Sequence, residues 1–154
     1  MTALKSGDKA PDFEGVNQDG KKVGLQDFSG KKLILYFYPK DNTPGCTAES
    51  CNLNDNYNAW LEKGYEVLGV SPDSVESHRK FKEKFNLEFD LLADTEKEIL
   101  QAYGAWGEKN MYGKKYMGVL RTTFIIDENG VIEDVFKKVK TKDHTNQILK
   151  SLNI

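Results

Sequence analysis

Apolar residues occur along this chain in short runs separated by polar segments, and the length of each run indicates the element that it forms. Residues 33–38 read LILYFY, an unbroken apolar run that follows two lysines. A run of this length without polar alternation predicts a strand buried on both faces, at the centre of a sheet. The next predicted strand covers residues 65–70, where Val67, Leu68 and Val70 are apolar.

Two pairs of segments are predicted as hairpins because each pair flanks a turn sequence. Residues 13–16 and 22–25 flank NQDG at residues 17–20. Residues 122–127 and 131–138 flank DENG at residues 127–130. Asp-Gly and Asn-Gly pairs are strong turn signals between two strands.

Helices are predicted where capping residues precede segments with helical spacing of apolar residues. The predicted helices cover residues 46–62, 74–85, 94–103 and 143–152, and a short strand is predicted at residues 88–93. Ser74 and Asp94 are the expected caps of the second and third helices. Residues 104–118 are rich in glycine and lysine and contain five large apolar or aromatic side chains.

The order of these elements predicts an α/β fold with a mixed central sheet and helices on both of its faces. Cys46 follows the central strand at a strand-to-helix turn, which suggests a thioredoxin-like sheet. The chain of 154 residues suits one domain with a single core, residues 1–154.

Composition and charge exclude several classes of protein. Hydrophobic residues make up 38% and charged residues 30% of the chain, which is typical of a globular protein. The net charge of -2, with no block of one sign, argues against nucleic acid as a main partner. Residues 1–12 lack the apolar run of a secretory signal, and residues 33–38 are too few to span a bilayer. We therefore expect a cytoplasmic protein that does not act at a membrane.

The chain contains two cysteines, five positions apart, and two histidines. In a reducing compartment, a close cysteine pair is more often catalytic or metal-binding than structural. A metal site is disfavoured because two thiolates need two further ligands, and His78 and His144 lie in unrelated segments. A cysteine–histidine hydrolase is also disfavoured, since neither histidine is near Cys46 in the sequence.

Cys46 follows Pro44 and Gly45 at the predicted start of a helix. Backbone N–H groups there have no intrahelical acceptor, and the helix dipole places partial positive charge beside the sulfur. Both effects favour the thiolate, which is the nucleophilic form of cysteine. A small, inert core cysteine is the alternative, but this placement favours a reactive thiol.

Cys51 is the second member of the cysteine pair. On one continuous helix, residues five apart have Cα atoms about 8.6 Å apart, beyond the roughly 7 Å that a disulfide tolerates. If both cysteines lie on the helix, the first turn must unwind before they can bridge. The sequence therefore predicts a disulfide that is a catalytic intermediate, with a buried spectator thiol as the alternative for Cys51.

Three residues near Cys46 have both a functional and an ordinary interpretation. The hydroxyl of Thr43 can lie near the sulfur, or Thr43 can be a simple loop residue. Pro44 can shield the site from water and set the entry into the helix, or it can be a turn proline. Glu49 is expected to be favoured near the helix N-terminus by the dipole in any case.

Arg121 is one of only two arginines in a chain with far more lysine. It immediately precedes the predicted strand 122–127. A planar, permanently charged donor suits an anion site, whereas an ordinary charge at a strand edge is the alternative. The other arginine, Arg79, lies in a charge-rich helix, where we expect it to be solvated.

Several separate motifs, in order along essentially the whole chain, resemble the peroxiredoxins. The active-site run is TPGCTAESC at residues 43–51, and it looks closest to the bacterioferritin comigratory protein subgroup, or Q-type. Further matching segments are GDKAPDF at residues 7–13, GVSPD at 69–73, residues 103–118, and RTTFIID at 121–127. One departure is Asn54, where members of the family often have arginine.

The resemblance implies a thioredoxin-like fold with an added N-terminal β-hairpin. It implies a thiol peroxidase that reduces hydrogen peroxide and organic hydroperoxides and uses no metal and no cofactor. By this likeness Cys46 is the peroxidatic cysteine and Cys51 the resolving one, joined in an intramolecular disulfide. Thr43 and Arg121 complete the peroxide site and Pro44 shields it. The implied reductant is thioredoxin or a similar dithiol protein, and a monomer is expected.

Two other functions are compatible with a reactive cysteine pair. A thioredoxin-type thiol–disulfide oxidoreductase would share the fold, but that chemistry expects two residues between the cysteines, whereas this chain has four. A peroxide-sensing redox protein is the second alternative. Five large side chains could form its partner surface, although such residues are more often packed in the core or anchor a loop: Trp106, Met111, Tyr112, Tyr116 and Met117.

Overall fold

The computed structural model describes residues 2–154 and contains strands and helices in alternation along most of that length. The strands are β1 Glu14–Val16, β2 Lys22–Gly24, β3 Lys32–Phe37, β4 Tyr65–Ser71, β5 Asp90–Ala93, β6 Trp106–Met111, β7 Lys114–Val119, β8 Thr122–Ile126 and β9 Ile132–Phe136. The helices are α1 Pro44–Asp55, α2 Tyr57–Glu62, α3 Val75–Phe85, α4 Glu98–Ala102 and α5 His144–Leu152, and a 3-10 turn covers Leu25–Phe28.

Within residues 2–154, seven strands form one mixed sheet in the order β2-β1-β5-β4-β3-β8-β9. β3 pairs in parallel with β4, and β4 with β5. β8 lies antiparallel to β3 on its other side, and β9 continues the sheet antiparallel to β8. Residues 33–37 of the apolar run lie in β3, an interior strand with a partner on each side and apolar cover on both faces, as predicted.

The side chains of β3 alternate between two apolar clusters, one on each face of the sheet. Leu33, Leu35 and Phe37 pack with residues of α4 and of the N-terminal segment. Ile34 and Tyr36 pack in the other cluster, with residues of α1, α2, α3 and α5. The predicted mixed sheet with helices on both faces is thus confirmed.

The pairing of β3 with β8 determines where the chain brings distant segments together. Phe37, the last residue of β3, pairs with Thr122, the first residue of β8. Because these strands run in opposite directions, the segment that follows β3 and the segment that precedes β8 meet at one edge of the sheet. The first leads into α1, with Cys46, and the second ends in Arg121.

The predicted helix of residues 46–62 is wrong in its extent, because it breaks at Asn56. The side-chain amide of Asn56 donates to the carbonyl of Asn52 at 2.8 Å. The backbone N–H of Asn56 turns instead to the carbonyl of Leu53 at 3.3 Å. An asparagine side chain that replaces its own backbone as donor ends a helix, and α2 starts again one residue later.

The predicted helix of residues 94–103 is shorter than expected. Lys97 adopts a left-handed conformation, with φ of 60°, and α4 begins only at the following residue. Asp94 nevertheless accepts a hydrogen bond from a helical N–H, that of Leu100, at 2.8 Å. The polar residues before α4 form a turn that places this carboxylate over the helix start.

The glycine-rich and lysine-rich segment 104–118 forms an element that the sequence pattern did not predict. β6 and β7 pair antiparallel in a separate two-stranded sheet. Met111, Tyr112, Tyr116 and Met117 are exposed on it, so they are not packed core residues. Within residues 2–154, no helix has the length and apolar character that crossing a membrane requires.

Candidate active site

Cys46 lies in the first turn of α1, two residues after the start of the helix at Pro44. Thr43 is the N-cap and has extended backbone angles. The side chain of Cys46 is almost fully buried, and its thiol is free. The sulfur therefore lies at the positive end of the helix dipole and outside bulk water, where interactions with charges are strengthened.

Arg121 contacts both Cys46 and Glu49 through its guanidinium group. Its Nη2 donates to the Sγ of Cys46 at 3.3 Å, and its Nη1 donates to Oε1 of Glu49 at 2.7 Å. These two hydrogen bonds fix the orientation of the planar guanidinium between the sulfur of Cys46 and the carboxyl of Glu49. The interpretation of Arg121 as an ordinary strand-edge charge does not fit these contacts.

Gly45 leaves room for the guanidinium. A Cβ atom at this position would lie 3.3 Å from Nη2 of Arg121, closer than ordinary van der Waals contact. Any larger residue would push against the nitrogen that binds the sulfur of Cys46. Gly45 is therefore part of the site because its lack of a side chain leaves space for the guanidinium of Arg121.

Glu49 is a residue that the sequence interpretation underestimated. The sequence interpretation explains Glu49 by the helix dipole alone and does not predict that it is buried. In the structure the side chain is completely buried. Burial raises its pKa to about 7, and Arg121 opposes that rise. The sequence signal was available: residues three apart on a helix share a face, so Glu49 must lie beside Cys46.

Thr43 and Pro44 border the site at the start of α1. The hydroxyl of Thr43 donates to the carbonyl of Lys40 at 2.8 Å, so its proton is committed to the loop. Its oxygen keeps lone pairs that can accept a hydrogen bond from a ligand. Pro44 is the first helical residue and is exposed, at the outer boundary of the turn that contains Cys46.

Cys51 lies on the same uninterrupted helix as Cys46, is partly exposed, and is also a free thiol. Burial, and after it the charge of Asp55, raises the pKa of this thiol. Ideal helix geometry places the two Cα atoms about 8.6 Å apart, too far for a disulfide. The structure therefore holds the pair in an arrangement in which they cannot bridge.

The two histidines lie in different places. His78 donates from Nδ1 to Asp41 at 2.7 Å, and Tyr38 donates to the same carboxylate at 2.6 Å. Asp41, Asp73 and His78 could place ligand atoms within 4.8 Å of one another. These groups are occupied by mutual hydrogen bonds, since Asp73 also accepts the N–H of Asp41 at 2.8 Å. The network ties the loop before Cys46 to α3.

His144 is buried at the start of α5, on the same side of the sheet as α1. Its Nε2 lies 3.8 Å from Oε2 of Glu49. His144 is far from Cys46 in the sequence, but the fold brings it to the carboxyl that binds Arg121. Among residues 2–154, no hydrogen bond joins His144 to the sulfur of Cys46.

Comparison with known proteins relates the whole chain to one family. A sequence profile of the AhpC/TSA family matches residues 6–135. Peroxiredoxin Bcp of Bacillus subtilis (strain 168) is 47% identical over 149 residues, 97% of this chain and 95% of that protein. Peroxiredoxin Bcp of Escherichia coli (strain K12) is 45% identical over 149 residues, 97% of this chain and 96% of that protein.

Solved structures agree with the sequence relatives. A cysteine-to-serine variant of peroxiredoxin Q from Xanthomonas campestris superposes with a TM-score of 0.86 at 36% identity, covering 92% of this chain and 90% of that one. A cysteine-to-serine variant of PrxQ from Xylella fastidiosa gives a TM-score of 0.92 at 31% identity, covering 99% and 98%. The predicted thioredoxin-like fold is confirmed by this likeness.

Proposed function

The chain belongs to the AhpC/TSA family, among proteins named peroxiredoxin Bcp, and on that premise we propose that Cys46 is its peroxidatic cysteine and Cys51 its resolving cysteine. The enzyme is a peroxiredoxin, a thiol peroxidase. One observation above all supports the assignment of Cys46: the guanidinium of Arg121 donates to its sulfur at 3.3 Å, at the start of a helix.

In the first step the thiolate of Cys46 attacks one oxygen of a hydroperoxide. The O–O bond breaks, the sulfur is oxidised to a sulfenic acid, and the leaving oxygen takes up a proton and departs as water or an alcohol. Arg121 and the free N–H groups of the first helical turn stabilise negative charge on the reacting oxygens. The oxygen of Thr43 accepts the proton of the bound peroxide as a hydrogen bond and so orients it.

In the second step the thiol of Cys51 attacks the sulfur of the sulfenic acid, and water is released as the disulfide forms. Both cysteines lie on one helix, α1. The turn that contains Cys46 must therefore unwind before the sulfurs can meet. Rapid closure of this bond also protects Cys46 from further, irreversible oxidation.

An external dithiol of the thioredoxin type then reduces the disulfide to two thiols. We propose a monomer made of one domain, residues 1–154, because both redox cysteines belong to one helix of one chain. A cytoplasmic location suits this cycle, since the reducing compartment supplies the dithiol that the cycle consumes. Hydrogen peroxide and organic hydroperoxides are the proposed substrates, and neither a metal nor a cofactor is needed.

The test is peroxide consumption with a dithiol reductant by the wild type, Cys46→Ser and Cys51→Ser. We expect Cys46→Ser to abolish turnover because the nucleophile is lost. Cys51→Ser keeps the first oxidation, seen as one equivalent of peroxide consumed, but loses recycling through the internal disulfide. Unchanged turnover in Cys46→Ser would refute the assignment.

The same assay separates this function from its two alternatives. Reduction of insulin disulfides without consumption of peroxide would favour a thioredoxin-type oxidoreductase. Slow, substoichiometric peroxide turnover together with tight binding to a client protein would favour a peroxide sensor. The exposed aromatic and methionine residues of β6 and β7 are the surface on which such a client would be sought.

A further inference from the structure

One atom near the site has an unmet hydrogen-bonding requirement. Among the buried side-chain polar atoms of residues 2–154, Oε2 of Glu49 is the one without a hydrogen-bond partner. The other oxygen of this carboxyl is bound by Arg121. A buried carboxyl oxygen needs a donor when it is ionised and an acceptor when it is protonated.

The ring of His144 presents its Nε2 to this oxygen at 3.8 Å. A movement of about 1 Å would make this a hydrogen bond. The state of Nε2 follows from what surrounds Nδ1, on the other side of the ring. Nδ1 lies 2.9 Å from Oε1 of Gln147, and that oxygen also accepts the backbone N–H of Lys140 at 2.9 Å.

The orientation of the Gln147 amide is fixed by its second contact. Its Nε2 donates to the carbonyl of Lys138 at 2.8 Å, so its Oε1 must be the acceptor. Nδ1 of His144 is then the donor in that bond, and the neutral ring presents a lone pair at Nε2. Thr123 donates its hydroxyl to this lone pair at 2.8 Å, beside the orphan oxygen of Glu49.

We propose that His144 is a positioning residue for peroxide reduction: its Nε2, occupied by the hydroxyl of Thr123, offers no donor to Oε2 of Glu49, and Glu49 therefore retains its proton. This inference rests on the peroxidase function proposed above. While the proton is present, Glu49 is a neutral acceptor for Arg121, and the charge of the guanidinium remains available to Cys46. When the proton is lost, the resulting carboxylate neutralises Arg121.

The surroundings of both groups agree with this placement of the proton. Burial raises the pKa of Glu49 to about 7, with Arg121 in opposition, and burial lowers the pKa of His144 to about 4. Arg121 and His144 face the carboxyl of Glu49 directly, and the ionisable hydroxyl of Tyr36 on β3 interacts with it electrostatically. The ring of Phe136 on β9 packs edge to face with the ring of His144, and the ring centroids are 5.8 Å apart.

The first test is spectroscopic and uses the reduced wild-type protein. Nitrogen NMR is expected to show His144 neutral near neutral pH, with the proton on Nδ1. Infrared difference spectra are expected to show a protonated carboxyl band that disappears as the pH is raised through about 7 and that is absent in Glu49→Gln. A proton on Nε2 of His144, or no such band, would overturn the inference.

The second test is the rate of oxidation of Cys46 by hydrogen peroxide as a function of pH. Glu49→Gln keeps a neutral acceptor for Arg121 at every pH. The ratio of the wild-type rate constant to that of this variant is expected to fall several-fold as the pH rises through about 7. A constant ratio would contradict the role assigned to the proton.

Two substitutions around His144 are expected to move this inflection in opposite directions. His144→Gln can offer an N–H donor, which stabilises the carboxylate of Glu49 and moves the inflection to lower pH. Thr123→Val removes the hydroxyl that competes for Nε2 and moves it to higher pH. An inflection that stays in place in both variants would show that His144 does not act through Glu49.

These outcomes are distinct from a failure of the proposed function. Persistent turnover in Cys46→Ser would disprove the peroxidase assignment whatever the tautomer of His144. A required Cys46 together with an imidazole protonated on Nε2 would leave the peroxidase in place and remove only the role of His144.

Discussion

The contact between Arg121 and Cys46 depends on the absence of a Cβ atom at Gly45. The guanidinium approaches α1 over this glycine, where a Cβ would lie 3.3 Å from Nη2. Glycine is a poor helix former, so its presence in the first turn of α1 costs some helix stability. We interpret that cost as the consequence of bringing a planar cation against the sulfur of the neighbouring residue.

Gly45→Ala is therefore expected to separate stability from activity. The methyl group forces Nη2 of Arg121 to move by a few tenths of an ångström, which weakens its bond to Cys46, and the rate constant for oxidation by peroxide falls, by up to roughly tenfold. The unfolding free energy is unchanged or rises by up to about 1 kcal/mol, since alanine is the better helix former. Stopped-flow oxidation and urea unfolding measure the two effects.

Ala48→Gly is the matched control for that change. It alters the same helix by the reverse substitution, at a partly buried position two residues after Cys46. It is expected to lower stability by about 1 kcal/mol with little effect on the oxidation rate. Equal loss of activity in both variants would mean that helix stability, and not room for Arg121, controls the reaction.

The helix α1 must unwind in the proposed cycle, and its contacts determine how easily it does so. Asn52, next to Cys51, accepts the backbone N–H of Thr145 at 2.7 Å and so joins α1 to α5. Asn54 accepts the N–H of Glu88 at 2.8 Å and donates to the carbonyl of Asn86 at 3.0 Å. Asn54 thus joins α1 to the loop after α3, although members of the family often have arginine at this position.

Asn52→Ala is expected to speed disulfide closure. The change removes the bond from the N–H of Thr145 and the bond that the Asn52 amide donates to the carbonyl of Lys142 at 3.2 Å, which destabilises the docked helix by about 1 kcal/mol. If these bonds are absent from the unwound form, closure after one equivalent of peroxide becomes roughly fivefold faster. The rate is measured by rapid quenching followed by alkylation of the remaining thiols.

Asn58→Ala, at an exposed position on α2, provides the control for that experiment. It is expected to leave the closure rate as in the wild type. A closure rate in Asn52→Ala equal to that of the control, despite a measured loss of stability, would show that the end of α1 near Cys51 stays docked during closure.

The stability of the whole protein depends on pH through the protonation of Glu49 and of His144. Glu49 has a folded pKa of about 7 against an ordinary value of 4.5, so its contribution to stability is lost as the pH rises between these values. His144 has a folded pKa of about 4 against 6.5, so its contribution is lost as the pH falls between those values. The two effects oppose each other across the same range.

Single substitutions are expected to reveal the two opposing slopes. Glu49→Gln leaves only the His144 contribution, so stability falls from about pH 6.5 to about pH 4, by on the order of 3 kcal/mol. His144→Gln leaves only the Glu49 contribution, so stability falls by a similar amount from about pH 4.5 to about pH 7. Urea unfolding across this range measures both slopes relative to the wild type.

Glu96→Gln, at an exposed glutamate, serves as the control for the loss of a carboxylate and is expected to follow the wild-type curve. Slopes of the same sign in Glu49→Gln and His144→Gln would contradict the placement of the proton, because the two contributions have opposite signs.

Local patterns in the sequence determined the strand of residues 33–38, both predicted hairpins, and the position of Cys46 at the start of a helix. Each of these depends on residues close together in the chain, whose spacing reports burial and turn geometry directly. The break at Asn56 and the hairpin of β6 and β7 were missed. The first depends on a side chain replacing a backbone donor, and the second has little apolar alternation because much of it is exposed.

Only the tertiary structure decided the contacts around the sulfur. Arg121 reaches Cys46 across 75 positions of sequence because β3 and β8 pair antiparallel with Phe37 opposite Thr122. His144 reaches Glu49 because α5 packs beside α1 on one face of the sheet. Sequence periodicity reports which face of an element is buried, whereas the register between distant strands and the packing of distant helices decide which buried groups meet.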